Sequence, residues 1–184
     1  MDNIYKHFAV LAALAYWPAA IYMVRKWPKG RQNSFSLHAA ANKHTRMLFA
    51  MAVTLETALY MLFAFKWFIP NFGMPFVFGL LIAPIAGLHF IAGIIPETKG
   101  LSKWIHRKAS YLCVVLFIPA FFIIATTHTI SPLARILAGG YDIWILALWY
   151  VYITQPDKRQ EDLVYQSIYI SSLPITLIAA TYLR

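Results

Sequence analysis

Two ionisable side chains stand inside long apolar stretches of the sequence. Glu56 lies within the stretch 47–68, and His89 lies within the stretch 75–95. Ionisable groups surrounded by hydrocarbon are rare and are typical of proton transfer or ligand binding. At 1.5 Å per residue, the two side chains lie roughly 14 and 9 Å from the same edge of the membrane. We therefore predict that Glu56 and His89 pair, although His89 can equally be only a structural partner.

Three further ionisable residues lie beside the same edge. His44 and His106 lead into apolar stretches next to Lys and Arg, and Glu97 follows the third stretch in a Pro-Glu turn. Together with Glu56 and His89 they form a predicted ligand-binding cluster. Histidines beside basic residues are also typical of headgroup contacts, so that interpretation of His44 and His106 stays open.

A secondary outer site and a packing ridge are also predicted. His128 ends one apolar stretch and Asp142 begins the next, so the two can meet at the outer surface, where hydration is the alternative. Gly79, Ala83 and Gly87 repeat every four residues. Such a ridge of small residues lets another helix approach closely.

The histidines raise the question of haem and metal. Two axial histidines must lie at like depth on facing helices, which favours His89 with His44 or His106. His89 and His128 differ in depth by roughly 15–20 Å and cannot share one iron. Zinc needs three or four ligands, but neither H-x-x-x-H nor H-E-x-x-H occurs. The single cysteine, Cys113, is expected to be a small buried residue. Cofactor, metal and enzymatic activity therefore stay open, with haem as an alternative.

The elements that must position these residues are membrane-spanning helices. Hydrophobic residues make up 60% of the chain and charged residues 12%, whereas soluble domains have roughly 45–50% and ~25%. Six stretches approach the ~20 apolar residues of a spanning helix, namely 7–24, 47–68, 75–95, 109–130, 137–153 and 163–183. We predict an all-α fold, a single domain over 1–184 forming a polytopic transmembrane bundle of six helices. Short loops join them, and Pro18, Pro84, Pro119 and Pro174 are expected to kink them.

Basic residues orient this bundle. Of sixteen Lys and Arg, six lie in the first connection, four in the third and two in the fifth. Because basic loops face the cytoplasm, we expect both termini outside and an uncleaved first span, in the cell membrane of a prokaryote or in an organelle. The net charge of +9 is explained by these clusters, so nucleic acid is not expected as a partner. The expected partners are membrane lipids, together with another membrane protein or a second copy of this chain.

Turn-forming residues mark the connections. The expected loops are 27–30, 69–75, 96–100, 131–140 and 155–157, the fourth bracketed by Ser131-Pro132 and Gly139-Gly140. Residues 34–41 predict a short interfacial helix capped by Asn33 or Ser34. The alternative is that this segment extends the second span.

The segment from Gly93-Ile94-Ile95-Pro96-Glu97 to His106 and Ala109 resembles uncharacterised six-helix prokaryotic membrane families. In those families a Pro-acid turn follows the third span, and a histidine leads the fourth. The resemblance implies a six-helix membrane fold and carries no activity with it.

Three functions agree with these features. The first is a small carrier or binding protein for a lipid or other small molecule at a polar intramembrane site, linked to protons through Glu56. The second is a b-type haem or quinone-linked redox subunit. The third is an accessory subunit of a larger membrane complex, docked through Gly79, Ala83 and Gly87.

Overall fold

The computed structural model describes residues 3–26, 34–154 and 162–183. Within these ranges the chain forms seven helices and no strand, which confirms the all-α prediction. Several predictions concern residues outside these ranges. They are the loops at 27–30 and 155–157, the cap at Asn33, and the basic residues Lys29, Arg31, Lys158 and Arg159.

Six of the helices are long and one is short. After a 3₁₀ turn at Asn3–His7, the helices are α1 (Phe8–Lys26), α2 (Phe35–Ala39), α3 (Lys43–Phe72), α4 (Phe76–Ile94), α5 (Gly100–Thr126), α6 (Pro132–Thr154) and α7 (Asp162–Tyr182). Four helical segments in the described chain are long and apolar enough to cross a membrane: Ile4–Lys26, Lys43–Phe72, Phe76–Ile94 and Gly100–Thr126. The remaining long helices, α6 and α7, have 23 and 21 residues.

The long helices form a closed ring. Each packs on the next in sequence, α1 on α3, then α4, α5, α6 and α7, and α7 returns to α1. Short connections join α3 to α4, α4 to α5 and α5 to α6, so these packed neighbours run antiparallel. One end of the ring, here called the basic end, holds Lys26, Lys43 and Lys99. The opposite end holds the turn at Gly73 and the hydrogen bond from Thr129 Oγ1 to the Phe72 carbonyl, 2.6 Å.

The short helix α2 is separate from α3, which excludes the alternative of an extended second span. The Ser34 side chain caps α2 by accepting from the Leu37 N–H. The Asn42 side chain then caps α3 by accepting from the Thr45 N–H. Two N-caps eight residues apart start two helices, because each side chain satisfies an otherwise unpaired amide.

The second connection is shorter than predicted. Residues 69–72 were expected in a loop but continue α3, and only the stretch around Gly73 turns. Pro70 has no N–H to donate to Lys66 four residues earlier. The helix passes this point through a π-helical stretch, Ala64–Phe68, in which Ile69 N–H donates to the Ala64 carbonyl. Gly73 then ends the helix with φ +61°, a left-handed conformation that glycine adopts without steric cost.

One further loop prediction was wrong, and one helix begins earlier than its apolar stretch. Gly139 and Gly140 lie inside α6, which already begins at Pro132. Proline suits the first turn of a helix, since its missing N–H would have no partner there. Helix α5 begins at Gly100 rather than at Ala109, so the basic residues before the apolar stretch are helical. The helices thus extend beyond the apolar stretches from which they were predicted.

An aromatic cluster fills the bundle towards the opposite end. Phe63, Phe68, Phe72 and Phe78 are each buried, and the Phe68 ring centroid lies 4.9 Å from that of Phe72 and 5.9 Å from that of Phe78. Cys113 joins the same core at 2% exposure, which confirms it as a small buried residue. The core therefore closes the ring on the side away from the basic residues.

Candidate ligand-binding site

A carboxyl–imidazole pair joins α3 to α4 inside the ring. Oε2 of Glu56 lies 2.9 Å from Nε2 of His89, so the pairing predicted from helix depth is present. Glu56 is 3% exposed. A buried carboxyl group needs such a partner, because leaving it unpaired costs free energy. Either group can carry the shared proton, so the pair can gain or lose one proton and keep its hydrogen bond.

An apolar cavity lies beside this pair, lined by α3, α4, α5 and α7. The centres of water-sized spheres can occupy about 60 Å³ of it, and all of its empty space, including space open to solvent, is about 670 Å³. One water needs roughly 10–15 Å³ on the first of these measures. The cavity therefore accommodates a few waters or a small organic group. We call this space the main cavity.

Few polar groups reach the main cavity. They come from three helices and are Glu56, Thr57, Tyr60, His89 and Tyr169. The rest of the lining is aliphatic or aromatic and includes Pro174 of α7. An apolar wall with a few convergent polar groups is the usual composition of a small-molecule site.

Three buried hydroxyl groups near the pair lack a hydrogen-bond partner within the described chain. They are Thr57 Oγ1 and Tyr60 Oη at the main cavity, and Tyr16 Oη on α1. Buried polar atoms are nearly always satisfied, by protein, water or ligand. Thr57 and Tyr60 are therefore available to a molecule in the main cavity.

A second, smaller cavity continues from the pair towards the basic end. It measures about 30 Å³ and shares His89, Tyr169 and Ile170 with the main cavity. Ser36, His106, Ser110 and Gln166 line its other side. Polar groups are thus more frequent here than in the main cavity, and the space suits one or two waters.

A hydrogen-bonded network closes the basic end around Glu97. Oε2 of Glu97 accepts from Ser34 Oγ at 2.9 Å, and Oε1 accepts from Arg107 Nε at 2.7 Å. His106 Nδ1 donates to the Ile95 carbonyl at 2.9 Å, which leaves its Nε2 facing Ser36 Oγ at 3.2 Å and Glu97 Oε2 at 3.9 Å. The network ties α2 to α5 and to the connection before it.

The charge of Glu97 is stabilised by this network. Burial alone would raise the pKa of its carboxyl group. Hydrogen bonds from Arg107 and Ser34, and the nearby charges of His106 and Arg107, outweigh burial and hold that pKa below its usual value. Glu97 is therefore an anion at neutral pH, whereas Arg107 extends to the surface with its side chain 49% exposed.

The predicted cluster of five residues is divided in the structure. Glu56 with His89 and Glu97 with His106 form two pairs, and the second cavity lies between them. His44 is exposed on the first turn of α3 and joins neither pair. The His44 imidazole lies outside the helix bundle because Thr45, the next residue, takes the buried position.

The outer pair predicted from sequence is not formed. His128 is exposed in the turn between α5 and α6, whereas Asp142 lies ten residues into α6. Ten helical residues correspond to roughly 15 Å, so the two side chains do not meet. The early start of α6 at Pro132 explains the difference. Asp142 is half-buried, and its Oδ1 has no hydrogen-bond partner within the described residues.

The ridge of small residues faces outward. Ala83 and Gly87 are exposed, and a Cβ on Gly87 would meet nothing within 4 Å, whereas one on Gly79 would lie 3.3 Å from the Phe65 ring. Docking of another helix on this ridge therefore stays a prediction. The close approach within the chain occurs at Gly93, where a Cβ would lie 2.8 Å from Val53 Cβ.

Two of the histidines considered as haem ligands contact protein groups. Nε2 of His89 is bonded to Glu56, and both ring nitrogens of His106 already face protein groups. Across the described ranges, His, Cys, Asp and Glu side chains form no group of three that could hold a metal ion.

The tyrosines at the two cavities were not predicted from the sequence. Tyr16 is 1% exposed, and its ring centroid lies 6.3 Å from that of His89. Tyr60 and Tyr169 lie in apolar stretches, where tyrosine is usually an interfacial residue. Tyr60 follows Glu56 by four residues, which places both on one helix face. That spacing was the available signal.

The chain has no match among protein-family models, curated proteins or solved structures. The residues and their geometry are therefore the basis for the functional assignment.

Proposed function

We propose that the chain crosses a membrane six times and binds a small, mostly apolar molecule beside Glu56 and His89. The exterior of the bundle supports a lipid environment. Large apolar side chains are exposed on the long helices, among them Leu14, Met51, Leu80, Phe122, Ile136 and Ile143. An aqueous surface would not tolerate so large an apolar area.

The proposed orientation follows from charge. Exposed Lys and Arg collect at the basic end and include Lys26, Lys43, Arg46, Lys99, Lys103 and Lys108. Basic ends face the cytoplasm, where they also attract anionic headgroups. Both termini then lie outside, and the network around Glu97 lies at the cytoplasmic surface.

One observation supports ligand binding most directly: the main cavity combines an apolar wall with buried polar groups that the protein leaves available. Thr57 and Tyr60 contribute hydroxyl groups without partners, and Glu56 and His89 contribute a shared proton. A molecule with one hydroxyl, carbonyl or carboxyl group satisfies these donors and acceptors, while its apolar body fills the rest.

Proton-linked binding follows from the same pair. A ligand that donates to Glu56 favours the carboxylate, and a ligand that accepts from the pair favours its protonated form. Binding and protonation are then coupled, which is what a carrier driven by a proton gradient requires.

Phenol is a suitable probe, because it is small and apolar and has one hydroxyl group. We expect phenol to raise the midpoint of thermal unfolding of the purified protein more than toluene does at equal concentration. A ligand at about 100 times its Kd stabilises by ~2.7 kcal/mol. Glu56→Gln is expected to abolish the preference for phenol.

Two alanines of α4 provide matched variants. Ala86 lines the main cavity, whereas Ala83 is exposed three residues earlier. Ala86→Leu should abolish stabilisation by phenol and by toluene, and Ala83→Leu should leave both unchanged. The same stabilisation by phenol in the wild type, Glu56→Gln, Ala86→Leu and Ala83→Leu would contradict binding in this cavity.

A further inference from the structure

A series of polar groups lies between the main cavity and the basic end, on both sides of the second cavity. Glu56 is bonded to His89, and the second cavity lies next to His89. His106, Ser36 and Glu97 follow on the other side of that cavity. Glu97 contacts Arg107, whose side chain is half exposed. The opposite direction is different, because Phe68 and Phe78 line the main cavity there and pack into the aromatic cluster.

We propose that this series of polar groups is a proton path, through which the Glu56–His89 pair exchanges protons with water at the basic end only. The path rests on the proposed function of the pair as a protonatable ligand site. It adds the side from which the proton arrives and the residues that carry it.

The geometry of His106 defines one step of the path. Because Nδ1–H donates to the Ile95 carbonyl, Nε2 of the neutral ring carries no proton and is the acceptor that faces Ser36 Oγ. A proton from surface water binds at Nε2, and the resulting cation is stabilised by Glu97 at 3.9 Å. The ring then releases the same proton to water in the second cavity and returns to its neutral form.

The second step crosses the cavity to the pair. Its volume of about 30 Å³ suits one or two waters, which bridge His106 to His89. The pair gains one proton, and no net charge remains on the bridging water. Release follows the same steps in reverse.

Few other ionisable groups face these two histidines. His89 is met by Glu56 from α3, by Tyr16 from α1 and by Tyr169 from α7. His106 is met by Glu97 from the preceding connection and by Ser36 from α2, and Arg107 is its neighbour on α5. One carboxyl group therefore faces each imidazole, Glu56 at His89 and Glu97 at His106.

The path is tested by the rate at which Glu56 changes its protonation after a pH jump. The readout is time-resolved infrared absorption of the protonated carboxyl group in the purified protein, with Glu56→Gln identifying the band. Ser110→Leu places a larger side chain in the second cavity. We expect Ser110→Leu to lower the rate at which this band changes by about tenfold or more, since the bridging water is lost. The titration midpoint should stay unchanged, which separates a lost path from an altered pair.

Two more variants keep the result interpretable. His106→Gln retains a hydrogen-bonding side chain of similar size without a titrating ring. It should also lower the rate at which the band changes, and it replaces Ser110→Leu as the test if that variant does not fold. Ala83→Leu, on the exposed face, should leave the rate unchanged. Wild-type rates in both Ser110→Leu and His106→Gln, or a wild-type band that does not respond to pH, would overturn the path. Phenol binding is measured separately, so its failure alone would contradict only the proposed function.

Discussion

At the scale of the residue, Glu56 shows what an apolar sequence reveals about a buried charge. Its position in an apolar stretch predicts a partner, and its depth identifies His89. Tyr60 and Tyr16 were not predicted, because their contributions depend on which hydroxyl groups are left without partners. That property arises from packing between helices, so no single stretch of sequence contains it.

His44 and His106 illustrate the same limit. Both precede an apolar stretch beside basic residues, yet only His106 is buried. The difference comes from Ser36, which lies 70 residues away in sequence, and from the Ile95 carbonyl, 11 residues before His106, which contact its two ring nitrogens. Similar local sequences therefore lead to different environments.

The depressed pKa of Glu97 predicts a loss of stability in acid. A carboxyl group whose pKa is lower in the folded than in the unfolded state stabilises the fold above the unfolded value of about 4.3. That contribution is lost as the pH falls through the lower, folded pKa. We expect the free energy of unfolding of the wild type in detergent to decrease over this range.

Glu97→Gln is the matched variant, because it keeps the shape of the side chain without its charge. We expect it to be less stable than the wild type at neutral pH, and the difference to shrink as the pH falls. A difference that is constant with pH would show that the charge of Glu97 does not stabilise the network.

At the scale of the element, the apolar stretches located the long helices but not their ends. Helix α5 begins nine residues before the predicted Ala109, and α6 begins at Pro132 rather than at Leu137. Polar residues continue a helix beyond its apolar stretch when a hydrogen bond or a proline at the first turn permits it. The misplacement of Asp142 relative to His128 was a direct consequence.

Gly93 is predicted to be essential for the contact between α3 and α4. A methyl group there would lie 2.8 Å from Val53 Cβ, whereas one on Gly87 of the same helix would meet nothing within 4 Å. We expect Gly93→Ala to lower the free energy of unfolding by about 1–3 kcal/mol, because overpacking forces the helices apart.

Two variants check this contact in the same denaturation experiment. Gly87→Ala should be neutral or slightly stabilising, since alanine favours the helix. Val53→Ala combined with Gly93→Ala should recover part of the loss, because it removes the overlapping methyl groups. Equal effects of Gly93→Ala and Gly87→Ala would contradict the close approach.

At the scale of the whole molecule, the ring of alternating helices determines which connections share a side. We predict that Lys6 and His128 lie outside and that Lys103 lies in the cytoplasm. Each is replaced by cysteine in a Cys113→Ala background and labelled in intact cells with an impermeant maleimide. Lys6→Cys and His128→Cys should react at once, and Lys103→Cys only after the membrane is opened. Labelling of all three from outside would contradict six spans in this orientation.

The occupancy of the main cavity is the central claim, and native mass spectrometry of the purified protein tests it most directly. We predict that the wild type and Ala83→Leu carry the same bound small molecule after mild extraction from the membrane. Ala86→Leu should lack it, because leucine fills the space beside the pair, and Glu56→Gln should carry less. The same bound molecule at the same occupancy in all four proteins would contradict a ligand site at Glu56 and His89.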